Sequence, residues 1–269
     1  MNIALYTWNK PYKTNILAAM AAGARRSGHE CQLRGTFTEV EEDADAAVFI
    51  GCNQVVKEAY DAYLAAGKHT IYIDKGYLRY AEQGVVDPRE YYRVAVDCFQ
   101  PSDYVMDLGV DASRWERERI NPRPWRTEGD LILYADVSRK YKDWFDLTDK
   151  DVEDDLQNLK NASLKSVVYR SRNDETKIYE ALTKAWALAT LGSNAAVDAI
   201  LYGVPVIVTG VDCIALPIAG EKLFYDDGLY IPSDEERYRW LCGLAWCQFT
   251  LTEFETGFAW KKLNERLEK

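Results

Sequence analysis

Short β-rich runs alternate with amphipathic helical stretches twice along this chain, and that double alternation restricts the fold more than any other feature. In the first eighty residues the runs are "IALY" (3–6), "CQLR" (31–34), "AAVFIG" (46–51) and "TIYID" (70–74), separated by helical stretches near 15–27 and 55–66. Strands joined by helices of that length need crossover connections, so they lie parallel in one sheet. Thr14 or Asn15 is placed to cap the first helix and Gly28 to end it.

A second series begins at "DLILYAD" (130–136) and continues through "SVVYRS" (166–171), "WALATL" (186–191) and "PVIVTG" (205–210), with helices expected near 148–160, 174–184 and 195–202. Two terminal helices follow, near 233–247 and 251–268. Between the two series, "YYRVAVDCFQP" reads as one more strand, and "SRWERERINPRPWRTEG" is Pro-broken and Arg-rich without a period, which predicts a surface connection. The expected architecture is therefore α/β, with two Rossmann-like parallel-sheet lobes, a cleft between them and C-terminal helices. The predicted boundaries are 1–112 for the first lobe, 113–129 for a linker, and 130–269 for the second lobe with the terminal helices.

Several function classes drop out early. A net charge of −10 argues against coating nucleic acid non-specifically, which relies on many cations neutralising phosphates. The six cysteines are scattered, mostly in apolar runs and without a CxxC pair, and read as reduced core thiols. No run approaches the ~20 apolar residues that span a bilayer, so no membrane partner and a cytoplasmic location are expected. Only His29 and His69 are present, which disfavours a His-based metal site or nucleophile relay. Neither GxxxxGK[ST] nor a GxGxxG after the first strand occurs.

In open α/β sheets ligands gather at the carboxyl ends of the strands, which focuses attention on the loops there. The most informative stretch is "LATLGSNAAVDAILYGVPVIV" (187–208), where Gly192, Ser193 and Asn194 turn a strand directly into a helix. The first helical N–H groups are expected to be unpaired and aimed at an anion, or else simply capped by Ser193 and Asn194. Arg170 and Arg172 follow the preceding strand two residues apart, suited to a pyrophosphate unless Asp174 and Glu175 take them as partners. Ser138 sits in the loop after the first strand of this series, where it suits a phosphate or a sugar.

In the first lobe Asp74 ends a strand and is the best-placed carboxylate for a general base, with Asn9, Lys75 and Arg79 in post-strand loops to position an acceptor. Arg114, Arg117, Arg119, Arg123 and Arg126 interleave with Trp115 and Trp125, a pattern that either holds nucleic acid or anchors a linker.

The second series resembles the nucleotide-sugar-binding half of GT-B type glycosyltransferases, carried by "LGSNAAVDAILYGVPVIV". Together with "LAWCQFTLTEFETGFAWKKL" (244–263) it is also similar to bacteriophage-encoded glycosyltransferase-like proteins. The resemblance covers about residues 130–265. It implies a metal-independent transferase with no cofactor, whose donor is a nucleotide sugar, a UDP-sugar first. It implies donor contacts at Gly192, Ser193, Asn194, Arg170 and Arg172, with Asp198 one helical turn on near the nucleotide ribose. A phage origin would imply a hydroxymethylated pyrimidine in DNA as acceptor, in the host cytoplasm. Sugar epimerases of the same fold carry similar turns, and the chain lacks a His after an N-terminal strand, so the alternatives are a nucleotide-sugar epimerase or hydrolase of that fold, or a non-catalytic nucleotide- or nucleic-acid-binding protein.

Overall fold

The computed structural model describes residues 1–6, 11–78, 90–220 and 229–268, and the chain divides into two compact units, Met1–Pro101 with Trp246–Lys269, and Ser102–Ala245. In unit 1, β1 (Asn2–Tyr6), α1 (Pro11–Arg26), β2 (Glu30–Arg34), β3 (Ala46–Ile50), α2 (Gln54–Ala65) and β4 (His69–Lys75) follow one another as βα repeats. The four strands are parallel, and β1 lies between β2 and β3. β3 is buried along its whole length, as expected of a strand covered on both faces. On one face Tyr6 stacks on Phe49 at 5.6 Å, and its hydroxyl meets that of Tyr63 on α2 at 2.9 Å. Asn53 caps α2 by accepting from the Val56 N–H. α1 starts a turn earlier than the sequence suggests, with Pro11 at its first position, where a missing N–H costs nothing.

β5 (Tyr91–Val96) then runs antiparallel to β4, so the sheet is mixed. Unit 2 opens with two short helices, α3 (Val105–Leu108) and α4 (Ser113–Glu118). Its sheet comprises β6 (Leu131–Ala135), β7 (Ser166–Arg170), β8 (Ala187–Thr190) and β9 (Val206–Val208) in the order β7-β6-β8-β9, all parallel. The connections are α5 (Arg139–Trp144) with α6 (Asp149–Ala162), then α7 (Ile178–Leu182), then α8 (Ala195–Leu201). Thr148 and Asp151 close a capping box at the start of α6. Asp155 on α6 accepts hydrogen bonds from Tyr134 on β6 (2.6 Å) and from Thr209 beyond β9 (2.7 Å), fixing that helix across the sheet. α9 (Asp234–Trp246) completes the unit, with the Trp240 indole donating to the Ile214 carbonyl at 2.8 Å.

The sequence assigns the terminal segment to the second lobe, whereas it completes the first. β10 (Gln248–Thr250) pairs antiparallel with β5 and extends the six-stranded sheet. α10 (Leu251–Glu255) and α11 (Phe258–Leu267) pack on α1, where Trp260 is fully buried and donates to the Met20 carbonyl. A Cβ on Gly23 would lie 1.8 Å from the Phe254 carbonyl oxygen, so α1 can approach α10 only through a glycine. The single helix expected at 251–268 breaks at Gly257, whose φ of 82° lies in the left-handed region. Residues 113–129 also depart from a bare surface connection, because Arg114, Trp115 and Glu118 of α4 are buried within unit 2.

Candidate functional site

Both sheets change direction at one place. In unit 2 the chain goes from β6 out to β7 and returns to the other side of β6 for β8, so the switch point lies between the carboxyl ends of β6 and β8. Thr190, the last residue of β8, bridges that point: its buried hydroxyl donates to the Ala135 carbonyl at the end of β6 (2.8 Å). The same oxygen accepts from the N–H groups of Gly192 (3.3 Å) and Ser193 (3.0 Å). Ser193 Oγ then accepts from the Ala195 N–H at 3.3 Å. The turn amides expected to be unpaired are thus largely satisfied within the turn, because a threonine happens to end the strand. Among the described residues Asn194 is the exception, as neither its N–H nor its carboxamide makes a hydrogen bond.

Gly192 is required sterically. A Cβ there would lie 2.3 Å from the Tyr141 hydroxyl and 2.4 Å from the Asp212 carbonyl oxygen. Tyr141 comes from α5 and its hydroxyl sits 2.7 Å from the Asp212 carbonyl, so loops following β6, β8 and β9 meet at this turn. Ser138 is the cap of α5, its Oγ accepting from the Tyr141 N–H at 3.1 Å. Asp198 lies half-buried on α8.

On the other side of β6, Arg170 ends β7 and donates to the Thr176 carbonyl at 2.6 Å, while its buried Nε has no partner. Arg172 is exposed and unpaired among the described residues. Neither guanidinium forms an ion pair with Asp174 or Glu175, so the self-neutralised charge run allowed by the sequence is not what forms. Two strand spacings, roughly 9.6 Å, separate the ends of β7 and β8, within reach of one extended arginine. Between them Asp136 accepts from the Tyr169 hydroxyl (2.8 Å) and lies 3.4 Å from Lys142, which also binds Asp149 at 3.0 Å. Burial, then this bond to Asp136, pushes the Tyr169 phenol up to about 12. Burial works against the Lys142 charge, but Asp149 and Asp136 outweigh it and hold its pKa above the ordinary value.

Unit 1 has its own switch point, between β1 and β3. There the buried Lys13 of α1 donates to the Ile50 carbonyl at 2.5 Å. Further along the same edge Asp74 is 36% exposed, with one oxygen accepting from the Tyr72 hydroxyl (3.2 Å) and the other from the Lys75 N–H (2.8 Å). Directly across the ladder stands Arg93 of β5, 4% exposed, its Nη 3.8 Å from the Asp74 carboxylate. The guanidinium lies over the rings of Phe99 (4.9 Å), Tyr72 (5.4 Å) and Tyr77 (5.6 Å). Burial opposes its charge, but Tyr77, Tyr72 and Asp74 more than offset that, so its pKa is raised. The same burial, with Asp74 close by, holds the Tyr72 phenol well above its ordinary range. Lys75 is exposed.

Comparison with solved structures decides the architecture. The chain superposes on KpsC of Thermosulfurimonas dismutans, beta Kdo 2,4 transferase, with a TM-score of 0.50 and 11% identity over 88% of this chain and 89% of that one. A second structure from the same organism, KpsC beta Kdo 2,7 transferase, matches with a TM-score of 0.50 and 11% identity over 97% of this chain and the whole of that one. The chain has a GT-B-like fold. No protein-family model matches the sequence. No curated protein matches it.

Within this GT-B-like fold, the structure gathers Ser138, Arg170, Arg172, Gly192, Ser193, Asn194 and Asp198 into unit 2, mostly at the carboxyl edge of its sheet, and Asp74 and Lys75 at that of unit 1. Asn9 and Arg79 lie outside the described residues. Sequence reading missed Arg93, Lys13, Asp136, Lys142 and Thr190. Arg93 was hidden in a β-run, and Lys13 and Lys142 in segments read as loops. The only signal for Arg93 is a charge inside "YYRVAV", where a doubly covered strand should be apolar. Three of the five arginines of 114–126 bind their own unit: Arg114 donates to the Ala245 carbonyl (2.7 Å), Arg126 to the Leu182 and Thr183 carbonyls (both 3.0 Å) and that of Ala185, and Arg123 lies 4.2 Å over Tyr202, while Arg117 and Arg119 are exposed. Among the described residues no helix is long and apolar enough to cross a membrane, and no group of three or more His, Cys, Asp or Glu could hold a metal ion.

Proposed function

We propose that the chain is a glycosyltransferase, moving a sugar from a nucleotide-sugar donor, a UDP-sugar first, to a hydroxyl acceptor. The observation that carries this reading is the edge of unit 2: two arginines with no carboxylate partner among the described residues, beside a switch-point turn whose Asn194 N–H has no partner among them either. A diphosphate suits that edge, with Arg170 and Arg172 as its counter-charges, Gly192, Ser193 and Asn194 beneath it, Ser138 at its side and Asp198 toward the ribose. The acceptor oxygen attacks the anomeric carbon and the bond from that carbon to the diphosphate oxygen breaks. The nucleoside diphosphate departs with the electron pair, and the acceptor proton passes to Asp74. Guanidiniums placed where the negative charge develops lower the barrier without a metal ion. Lys75 positions the acceptor.

Against a DNA acceptor, three of the five arginines of 114–126, namely Arg114, Arg123 and Arg126, are engaged inside unit 2. We favour a small hydroxyl-bearing acceptor.

The test is a thermal-shift panel of UDP, GDP, ADP, CMP and their sugar conjugates. A ligand at a hundredfold excess over Kd stabilises the native state by about 2.7 kcal/mol. In a chain of this size each kcal/mol raises Tm by about 2–4 °C. A selective rise with one nucleotide supports the donor pocket. No rise with any of them overturns it, and turnover of the sugar conjugate without an acceptor assigns the site to an epimerase or hydrolase instead.

A further inference from the structure

Arg93 is a buried cation for which the fold gives no structural need. It occupies the middle of an antiparallel ladder, where an apolar residue would satisfy the same backbone bonds and pack against the same three rings. Its side-chain contacts are to neutral phenols, with the Tyr77 hydroxyl 3.5 Å from one Nη and the Tyr72 hydroxyl also within its reach. The buried Nε has no partner. Among the described residues the one carboxylate beside it is Asp74, at 3.8 Å, whose two oxygens already serve the Tyr72 hydroxyl and the Lys75 N–H. A guanidinium offers five N–H donors in a planar fork, and its full strength appears with an oxyanion bound through two of them. Taking such a charge out of water carries a desolvation cost, and buried charges with only a distant, shared counter-ion concentrate at functional sites.

We propose that Arg93 is an oxyanion receptor of unit 1, and that the molecule brought to Asp74 carries a carboxylate or a phosphate. The rings of Tyr72, Tyr77 and Phe99 hold the fork flat and fix its direction, as stacked faces do for a guanidinium. Asp74, more than a third exposed, marks the side from which the ligand approaches, and the exposed Lys75 adds a second positive charge there. The site therefore sorts ligands by charge: an acidic or phosphorylated sugar is accepted, and its neutral counterpart is bound weakly. This inference rests on unit 1 being the acceptor side of the reading above.

The experiment is calorimetric titration of the full chain at low salt with galactose, galacturonate and galactose 6-phosphate, alongside Arg93→Met and Arg93→Lys. The expected result is binding of at least one anionic probe roughly tenfold tighter than galactose. That preference falls to within about twofold in Arg93→Met and survives in part in Arg93→Lys. A response to galacturonate alone names a carboxylate, and a response to galactose 6-phosphate alone names a phosphate. Equal or absent binding of all three probes to the wild-type protein, or a preference that persists in Arg93→Met, overturns the proposal. A purely structural arginine would lower Tm in the Met variant while leaving the ratio of affinities where it was. Nucleotide binding by the wild-type chain, measured in parallel, reports on the donor reading separately, so failure of one is told apart from failure of the other.

Discussion

The hydroxyl of Thr190 donates to the carbonyl of Ala135 at 2.8 Å, tying together the carboxyl ends of β8 and β6 at the point where the sheet of unit 2 reverses its strand order. The same oxygen holds the Gly192 and Ser193 amides, so one buried side chain satisfies a carbonyl and two N–H groups. Thr190→Val keeps the shape and strands all three. A loss of about 2–4 kcal/mol is expected, from leaving buried polar groups unpaired at about 1–3 kcal/mol each with partial relaxation. Thr190→Ser should retain most of the stability. Urea denaturation of both variants checks this, and equal midpoints for Val and wild type would dismiss the bridge.

Gly192→Ala should cost about 1–3 kcal/mol, the usual range for overpacking. Its Cβ would press on the Asp212 carbonyl oxygen and on the Tyr141 ring, neither of which is a flexible chain end. Gly35→Ala is the control, since a Cβ there meets nothing within 4 Å and its φ is ordinary. It should stay within about 0.5 kcal/mol of wild type, as surface changes generally do.

Arg170→Ala and Arg172→Ala should both weaken nucleotide binding, yet differ in stability. Arg170 secures the loop through the Thr176 carbonyl, so its loss should lower Tm, whereas Arg172 makes no hydrogen bond or ion pair among the described residues and its loss should leave Tm unchanged. Each lost charge-assisted contact is worth about 1.5–3 kcal/mol of binding, or roughly ten- to a hundredfold in Kd. Undiminished binding in both variants would remove the diphosphate from this edge.

Stability should decline in alkali, partly through Tyr169 and Lys142. The folded state raises the Tyr169 pKa from its ordinary value of 10.0 to about 12, because burial and the bond to Asp136 favour the neutral phenol. A raised pKa contributes stability that is complete below pH 10 and is lost as pH climbs through the folded value. The raised pKa of Lys142 acts in the same direction. Tyr169→Phe lacks the first contribution, so between about pH 10 and pH 12 its urea midpoint should fall less than that of wild type. Parallel curves would show that the phenol is not linked to folding.

Trp260→Ala should destabilise unit 1 by about 3–5 kcal/mol, the range for deleting a large buried aromatic. The residue is fully buried and also donates to the Met20 carbonyl at 3.0 Å. The loss should appear as an earlier transition of the Met1–Pro101 segment in hydrogen exchange, not only as local fraying of α11.

The two βα series were legible in the chain itself, because a short strand followed by a helix has few ways to bury its apolar face other than in a parallel sheet. Nearly every strand from β1 to β9 lies within a residue or two of its apolar run, since β-branched and aromatic residues cluster there and turn residues bound them. Candidate residues at strand ends, Asp74, Arg170 and the Gly192–Asn194 turn, were legible for the same reason. β10 was not, because its three residues sit within the continuous apolar stretch "CGLAWCQFTL", and only pairing with β5 makes them a strand.

What the sequence determined alone is local: the order of elements, the strand-to-helix turn at 192–194, and the end of α1 at Gly28. What tertiary structure decided is which distant groups meet. The return of residues 246–269 to the first unit, the bridging of β6 and β8 by Thr190, and the placement of Arg93 opposite Asp74 all join residues far apart in the chain. Periodicity reports which face of an element is apolar, but partner choice depends on packing shape and on where each polar group finds its complement, and those are properties of the assembled chain.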